Sequence, residues 1–308
     1  MISWLLLVLG LTMLTVGATW LTNGSVAVAK RLQISEYVIG MTIVAVGTSL
    51  PELTVSAASA IAGNADVALG NVVGSNIFNV FAILGICAVL SPIPFSRNNI
   101  RYDAPIALLV SVIFTALIFN GTLSRLEGAL LLALYVGIMA FSFIKNREKS
   151  DDAATNSNFA WWRSLGMIAL GICGLIYGAN IALESSIEIA RSLGVSEAVI
   201  AITILAGGTS LPELAASLIA ALKGHSALAL GNVLGSCIAN ILLILGLCST
   251  VVPLSMTDLT MTDLLVMVLS AAAVLLSAIL VGRKRISRLE GAVYIIAYVA
   301  YIVYLVRH

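Results

Sequence analysis

Runs of about 20 predominantly apolar residues recur along the whole chain, separated by short polar segments. They predict ten spans, near residues 2–24, 36–61, 67–91, 102–120, 123–144, 162–184, 197–222, 228–252, 262–281 and 288–306. Each can cross a hydrocarbon core of roughly 30 Å at about 1.5 Å per residue. The longest polar stretch, Lys145–Asn158, is too short to bury a core of its own, so no soluble domain is expected. The first run, Ile2 to Leu21, lacks a basic leader and a convincing cleavage site, which predicts a retained helix and not a signal peptide.

Composition agrees. Of 308 residues 60% are hydrophobic and 10% charged, where a soluble domain carries about a quarter charged. The net charge of +1 is uninformative, but its distribution is not. With the N-terminus outside, ten spans place Lys30, Arg31, Arg97, Arg101, Lys145, Arg147, Lys149, Arg163, Lys223, Arg283, Lys284, Arg285 and Arg288 inside, and only Arg125, Arg191 and Arg307 outside. Thirteen against three is the asymmetry of a cytoplasmic face, so both termini are expected on the non-cytoplasmic side. The four cysteines, Cys87, Cys173, Cys237 and Cys248, fall in apolar spans without metal-ligand spacing and read as small core residues.

The chain also repeats itself. Glu36–Pro92 aligns without gaps to Glu197–Pro253, an offset of 161, with about half the positions identical. GTSLPEL occurs at Gly47–Leu53 and Gly208–Leu214, ALGNV at Ala68–Val72 and Ala229–Val233. SRLEGA follows at Ser124–Ala129 and Ser287–Ala292, after a two-residue insertion in the second half. Five spans per half is an odd number, so the second copy enters the membrane upside down. The expected fold is an all-α membrane protein of ten transmembrane helices in two inverted five-helix repeats with discontinuous helices at the centre. Residues 1–144 form the first repeat, 145–161 a cytoplasmic linker and 162–308 the second. Inverted repeats typify secondary transporters, whose site lies at the repeat interface near mid-membrane.

Of fifteen Asp and Glu residues only Glu52 and Glu213 lie well inside an apolar span. A mid-bilayer carboxylate costs at least about 2.5–3.5 kcal/mol on the insertion scale, and here it occurs twice at equivalent places. Pro51 and Pro212 precede the glutamates and disturb the carbonyls of Gly47 and Gly208 four residues back. Carbonyls around Ala45–Thr48 and Ala206–Thr209 are therefore expected free of helical bonding, which is tolerable at depth only beside a cavity or protein partners. A second break is expected in the next span of each half, at Gly70-Asn71 and Gly74-Ser75 before Asn79, and at Gly231-Asn232 and Gly235-Ser236 before Asn240. Close helix packing accounts for part of the glycine pattern, but not for Asn79 and Asn240, whose amides need partners in lipid. Carboxylates, amide oxygens, hydroxyls including Ser49 and Ser210, and freed carbonyls are all hard oxygen donors. Ca2+ takes six to eight such ligands at roughly 2.3–2.6 Å. No His or Cys pattern suits zinc or copper.

GTSLPE followed by GNVVGSN in one half and GNVLGSC in the other resembles the paired alpha repeats of the Ca2+/cation antiporter superfamily, most closely its prokaryotic sodium/calcium exchangers. The likeness covers essentially the whole chain. It implies cation sites between the second, third, seventh and eighth helices, with Glu52 and Glu213 chelating Ca2+ beside the Thr48 and Thr209 carbonyls. One Na+ site would use the Ala45 and Thr48 carbonyls, Glu213 and Ser236; its mirror would use the Ala206 and Thr209 carbonyls, Glu52 and Ser75. Asn79 and Asn240 fill the remaining central positions. Two residues depart: Asn240 stands where some members carry Asp, which leaves the central charge at −2, and Cys237 stands where the first half has Asn76. The implied location is the prokaryotic inner (plasma) membrane. The expected partners are the lipid bilayer and the transported Ca2+ and Na+, with H+ the alternative coupling ion. No cofactor and no nucleic acid are expected, and a monomer is the expected unit.

Two like charges about 4 Å apart at an effective dielectric near 20 repel by about 4 kcal/mol, so an empty closed site with both glutamates ionised is prohibitive. One Ca2+, several Na+ or two protons relieve it, which is a physical basis for obligatory exchange. A channel would instead build rings of carboxylates by oligomerisation. A hydrolase using Ser49 or Ser210 lacks a histidine at depth, since His225 lies in a loop and His308 at the terminus. The expectation is an antiporter and not an enzyme.

Overall fold

The computed structural model describes residues 2–145, 160–195, 207–280 and 284–307. Its helices are α1 (Ile2–Leu32), α2 (Glu36–Thr48), α3 (Leu50–Ile61), α4 (Ala65–Leu90), α5 (Asn99–Asn120), α6 (Arg125–Lys145), α7 (Trp161–Ser192), α8 (Leu211–Leu222), α9 (Ser226–Val251), α10 (Met261–Leu280) and α11 (Arg288–Arg307). Eight are long and apolar enough to cross a membrane singly. The pair α2 and α3 makes a ninth crossing, bent by 47° at Ser49. Of the predicted seventh span, only the part from residue 207 onward is described, and it holds the 12-residue α8. The linker 145–161 falls almost wholly outside the described residues. The chain is an integral membrane protein: α1, α6 and α11 expose most of their apolar side chains, whereas α4 and α9 are enclosed by the other helices.

Two spans are longer than the apolar pattern predicts. Helix α1 runs on through Lys30 and Arg31, and α7 through Arg191. Both exceed 30 residues, about 46 Å at 1.5 Å per residue, longer than the roughly 30 Å of a hydrocarbon core. Their mutual packing explains the extension. Gly10, Gly17 and Gly24 recur every seven residues on α1, and Gly178, Gly171 and Ser164 oppose them in reverse order on α7. A Cβ at Gly17 would stand 2.8 Å from Gly171 O, and one at Gly24 2.8 Å from Ser164 O. This is an antiparallel seam of small residues that brings two backbones together where apolar burial alone gives no drive.

The halves interlock through further glycines. A Cβ at Gly235 of α9 would meet the Ala45 Cβ at 2.8 Å, and one at Gly40 of α2 would meet Asn232 N at 3.0 Å. Gly85 of α4 lies against Gly291 of α11, and Gly128 of α6 against Gly246 of α9. These two contacts are the same contact repeated 161 to 163 residues later. The SRLEGA motif, whose role the sequence left open, supplies that glycine and a capping box. Ser124 N and Oγ donate to Glu127 Oε2 at 2.7 Å, and Ser287 repeats this with Glu290 at 2.8 and 2.6 Å.

Short antiparallel ladders tie the loops. β1 (Ile93–Pro94) pairs with β4 (Arg285–Ile286), and β2 (Thr122–Leu123) with β3 (Leu254–Ser255). Each joins one half to the other. Near β1 and β4, Phe95 N donates to Lys284 O and Asn98 Nδ2 to Lys145 O, and Lys145 and Arg101 lie over the Tyr102 ring; Arg31, near the end of α1, lies over the ring of Trp161 at the start of α7. Lys223 Nζ donates to Asn23 Oδ1 near the same end of α1. The other end is held by Asp66, which accepts from the backbone of Thr257, Asp258 and Leu259 and from the Thr257 hydroxyl.

The glycine seam makes a direct prediction. Gly171→Val places side-chain atoms where Leu21 N and Gly17 O already lie within 2.8 Å of a Cβ, and overpacking of this kind costs about 1–3 kcal/mol. Gly137→Ala on α6, where an added Cβ meets no described residue, is expected to be neutral or to gain about 0.5–1 kcal/mol of helix propensity. Thermal unfolding in detergent reads both; equal midpoints for the two variants would remove the seam from the account.

Candidate functional site

Helices α3 and α8 begin alike. Pro51 and Pro212 stand in the first turn, where their missing N–H is no loss, and Glu52 and Glu213 follow. The first turn of a helix favours a negative side chain, which helps both buried carboxylates. Ser49 and Ser210 hold the N-cap positions, at φ −83° and −91°. A capping serine ordinarily accepts from its own helix's first N–H groups. Neither does so here. Ser49 Oγ donates to Glu213 Oε1 and Ser210 Oγ to Glu52 Oε1, both at 2.8 Å. Each half thus surrenders its cap to hold the other half's carboxylate, and the two glutamates meet.

The asparagines of the GNV segments act as struts. Asn71 Nδ2 donates to Ser56 Oγ at 2.9 Å and Glu52 O at 3.2 Å, tying α4 to α3. Asn232 Nδ2 repeats this with Ser217 Oγ at 2.9 Å and Glu213 O at 3.4 Å. Their amide oxygens reach across the halves, Asn232 Oδ1 to the Thr48 hydroxyl at 3.2 Å and Asn71 Oδ1 to Thr209 at 3.5 Å. Asn71, Asn232, Ser56 and Ser217 were not among the predicted site residues. Their signal was an asparagine repeated at the same offset, read as part of a helix break.

That second break is not there. Helix α4 is continuous through Gly70 and Gly74, and α9 through Gly231 and Gly235. On α9 the glycines serve packing against α2. The irregularity comes later, as π-helical segments at Phe78–Leu84 and Asn240–Leu245, beside Asn79 and Asn240. Such segments gather at functional sites because they re-aim side chains and loosen backbone bonds. The first break is where the proline predicts it, but its carbonyls are less free than expected. Ala45 O accepts Ser49 N at 3.0 Å, and Gly208 O accepts Leu211 N in a tighter turn at 3.3 Å. Ala206 lies outside the described residues.

At the centre, several atoms have no partner. Glu52 Oε2, Glu213 Oε2, Ser236 Oγ, Asn240 Oδ1 and both amide atoms of Asn79 make no hydrogen bond, though all five side chains are fully buried. An unsatisfied buried polar atom costs about 1–3 kcal/mol, and folded proteins hold few. Of the eleven such atoms among the described residues, six fall on these five side chains, which come from both halves and include both glutamates. The set is dominated by oxygen, the chemistry of a hard cation. Among the described residues no three His, Cys, Asp or Glu groups converge, so a cation must draw on amide, hydroxyl and carbonyl oxygens. The mirror is imperfect: Ser75 Oγ lies 3.2 Å from Ser210 Oγ while Ser236 is unpartnered, and Asn240 Nδ2 donates to Asn76 Oδ1 at 3.1 Å while Asn79 bonds nothing.

The chain is similar to known proteins along its length. The family model for the sodium/calcium exchanger protein matches residues 2–144 and 163–307. Sodium/calcium exchanger MaX1 of Methanosarcina acetivorans is 34% identical over 99% of this chain and 98% of its own. Inner membrane protein YrbG of Escherichia coli is 33% identical over 80% and 79%. A solved structure of the sodium-calcium exchanger NCX_Mj, soaked with Na+ and Ca2+, superposes with a TM-score of 0.86 at 30% identity over 98% of each chain. The chain therefore belongs to the sodium/calcium exchanger protein family, within the Ca2+/cation antiporter superfamily, and is a cation antiporter of the prokaryotic type.

Proposed function

We propose that the protein exchanges Ca2+ for Na+ by alternating access, with Glu52 and Glu213 as the central ligands. The observation that carries this is the set of unpartnered buried oxygens on side chains of both halves, among them two carboxylates held by the opposite half. Ca2+ occupies the Glu52 and Glu213 oxygens with the Thr48 and Thr209 carbonyls. Na+ uses the flanking sets that include Ser75 on one side and Ser236 on the other, completed by Ala206 and Ala45 carbonyls, with Asn79 and Asn240 between. Na+ as coupling ion is supported by the names of MaX1 and NCX_Mj and by the hydroxyls in the flanking sets. The architecture proposed is ten helices in two inverted repeats, 1–144 and 162–308, the seventh crossing ending in α8. Arg101, Lys145, Lys284 and Arg285, near β1 and β4, mark the cytoplasmic face, leaving both termini outside, and the name of YrbG supports the inner membrane. A single chain holds all the ligands, so a monomer suffices.

The physical basis of exchange is the charge at the centre. Fully ionised and empty, the pair of carboxylates opposes closure of the site; neutralised by its cargo, the site can occlude and reopen on the other side.

Glu52→Gln and Glu213→Gln are each expected to abolish Na+-driven uptake of radiolabelled Ca2+ into proteoliposomes. Near-normal rates in both variants would refute the assignment. Imposed gradients identify the coupling ion: a Na+ gradient drives Ca2+ flux at clamped voltage and a pH gradient alone does not. If three Na+ move against one Ca2+, one charge crosses per cycle, worth about 2.3 kcal/mol per 100 mV; a flux indifferent to voltage would exclude that ratio. Asn232→Ala removes the strut from Glu213 O, Ser217 and Thr48 and is expected to lower stability by about 1–3 kcal/mol. Thermal unfolding in detergent checks it against wild type.

A further inference from the structure

Asn76 of α4 follows Ser75 directly and is buried, yet it is not one of the proposed ligands. Its side-chain amide joins two points of the other half. Asn76 Nδ2 donates to the backbone oxygen of Cys237 at 3.2 Å, and Asn76 Oδ1 accepts Asn240 Nδ2 at 3.1 Å. The direction of this chain of bonds follows from chemistry alone. A backbone carbonyl can only accept, so the Asn76 amide must turn its NH2 group to Cys237 O. The Met267 thioether, 4.0 Å from Asn76 Nδ2, is an acceptor too and favours the same setting. The Asn76 oxygen then faces Asn240, where only a donor satisfies it, so Asn240 must turn its own NH2 toward Asn76. The Asn240 oxygen is left on the far side, and that Oδ1 is one of the buried atoms with no partner among the described residues. Reversing either amide would set two oxygens against each other.

The backbone of α9 supplies the fixed end of the chain. Cys237 O also accepts the N–H of Asn240, where the π-helical segment Asn240–Leu245 begins, and its second lone pair serves Asn76. The first half has no counterpart of this anchor. The position related to Asn76 is Cys237, which has no amide, and both amide atoms of Asn79 bond nothing. One central asparagine is therefore held in one orientation, and its mate in the other half is not. A hard cation binds the oxygen of an amide and gains nothing from its NH2 group, so the orientation decides whether the residue is a ligand at all. We propose that Asn76 is a positioning residue of the cation site: anchored on Cys237 O, it holds Asn240 with its oxygen available to the cation. The inference rests on the antiport reading, in which Asn240 is a central ligand, and it makes the two central asparagines unequal.

A double-mutant cycle on the full-length protein in detergent tests it. Calorimetry reads the binding of Ca2+ and of Na+ by the wild type, Asn76→Leu, Asn240→Ala and the double variant. Asn76→Leu is expected to raise the dissociation constant of the ion that Asn240→Ala also weakens, by about three- to tenfold. In the Asn240→Ala background the same change is expected to add less than about twofold, because no amide remains to be oriented. A merely structural role would weaken binding equally in both backgrounds. Asn76→Ala repeats the cycle with a smaller side chain. Wild-type affinity in both Asn76 variants, equal losses in the two backgrounds, or failure of both cycles to give folded proteins would overturn the proposal. Exchange measured separately in proteoliposomes keeps the two readings apart. A coupled cycle in a protein that does not exchange Ca2+ supports the positioning role and counts against antiport; normal exchange with an uncoupled cycle does the reverse.

Discussion

Two fully buried carboxylates are the constraint that the rest of this molecule serves. An isolated ionised carboxylate in an apolar medium is so costly that a folded chain must pair it, solvate it with fixed dipoles, or neutralise it. Glu52 and Glu213 receive one serine hydroxyl each, at 2.8 Å, and a place in the first turn of a helix. Those provisions satisfy one oxygen of each carboxylate and leave the other open. The site is thus built short of full satisfaction, by an amount that a cation can supply. Both serines come from the opposite half, so neither glutamate is provided for until the halves are assembled.

Assembly in turn depends on close approach of backbones. Lipid gives helices no hydrophobic reason to associate, and contact area between large side chains gains little over contact with acyl chains. The chain answers with glycines where helices of different halves cross: α1 on α7, α2 on α9, α4 on α11, α6 on α9. The paired ladders β1–β4 and β2–β3 make the same exchange in the loops. The helices bearing the glutamates and asparagines are consequently held by neighbours from both halves.

The sequence showed the parts of this design that are chemically out of place in lipid. A carboxylate, a proline after Gly-Thr-Ser, and a buried asparagine each contradict their surroundings, and their repetition at an offset of 161 made coincidence untenable. It did not show which polar atom bonds which. Asn71 and Asn232 looked like helix breakers because asparagine and glycine weaken helices in water. In the folded chain their amides are consumed as struts to Ser56, Ser217 and the glutamate carbonyls, and the helices run through. The π-helical segments were invisible for a related reason: they add one residue to a turn without any residue type that announces them. The length of α1 was also hidden, because apolar pattern measures contact with lipid, whereas residues 24–29 of α1 are buried against protein and Lys30, Arg31 and Leu32 beyond them are exposed.

An inverted duplication with identical halves would make the two faces of the protein equivalent, and the inward- and outward-facing forms equal in energy. The departures from symmetry are therefore as physical as the symmetry. At one end Asp66 gathers three backbone N–H groups of the loop 257–259, and its counterpart at position 227 is an alanine that can do nothing of the kind. At the other end His225 Nδ1 lies 3.0 Å from both oxygens of Glu36, while the related position 64 is an asparagine. Within the centre, Ser75 is engaged and Ser236 is not, and a thiol replaces an amide. The midplane residues that hold charge, Glu52 and Glu213 with their serines, are kept the same in both halves. The charge and its serine donors are thus duplicated between the halves, whereas Asp66 and His225, which tie the loops at the two ends, each have an unlike residue at the related position.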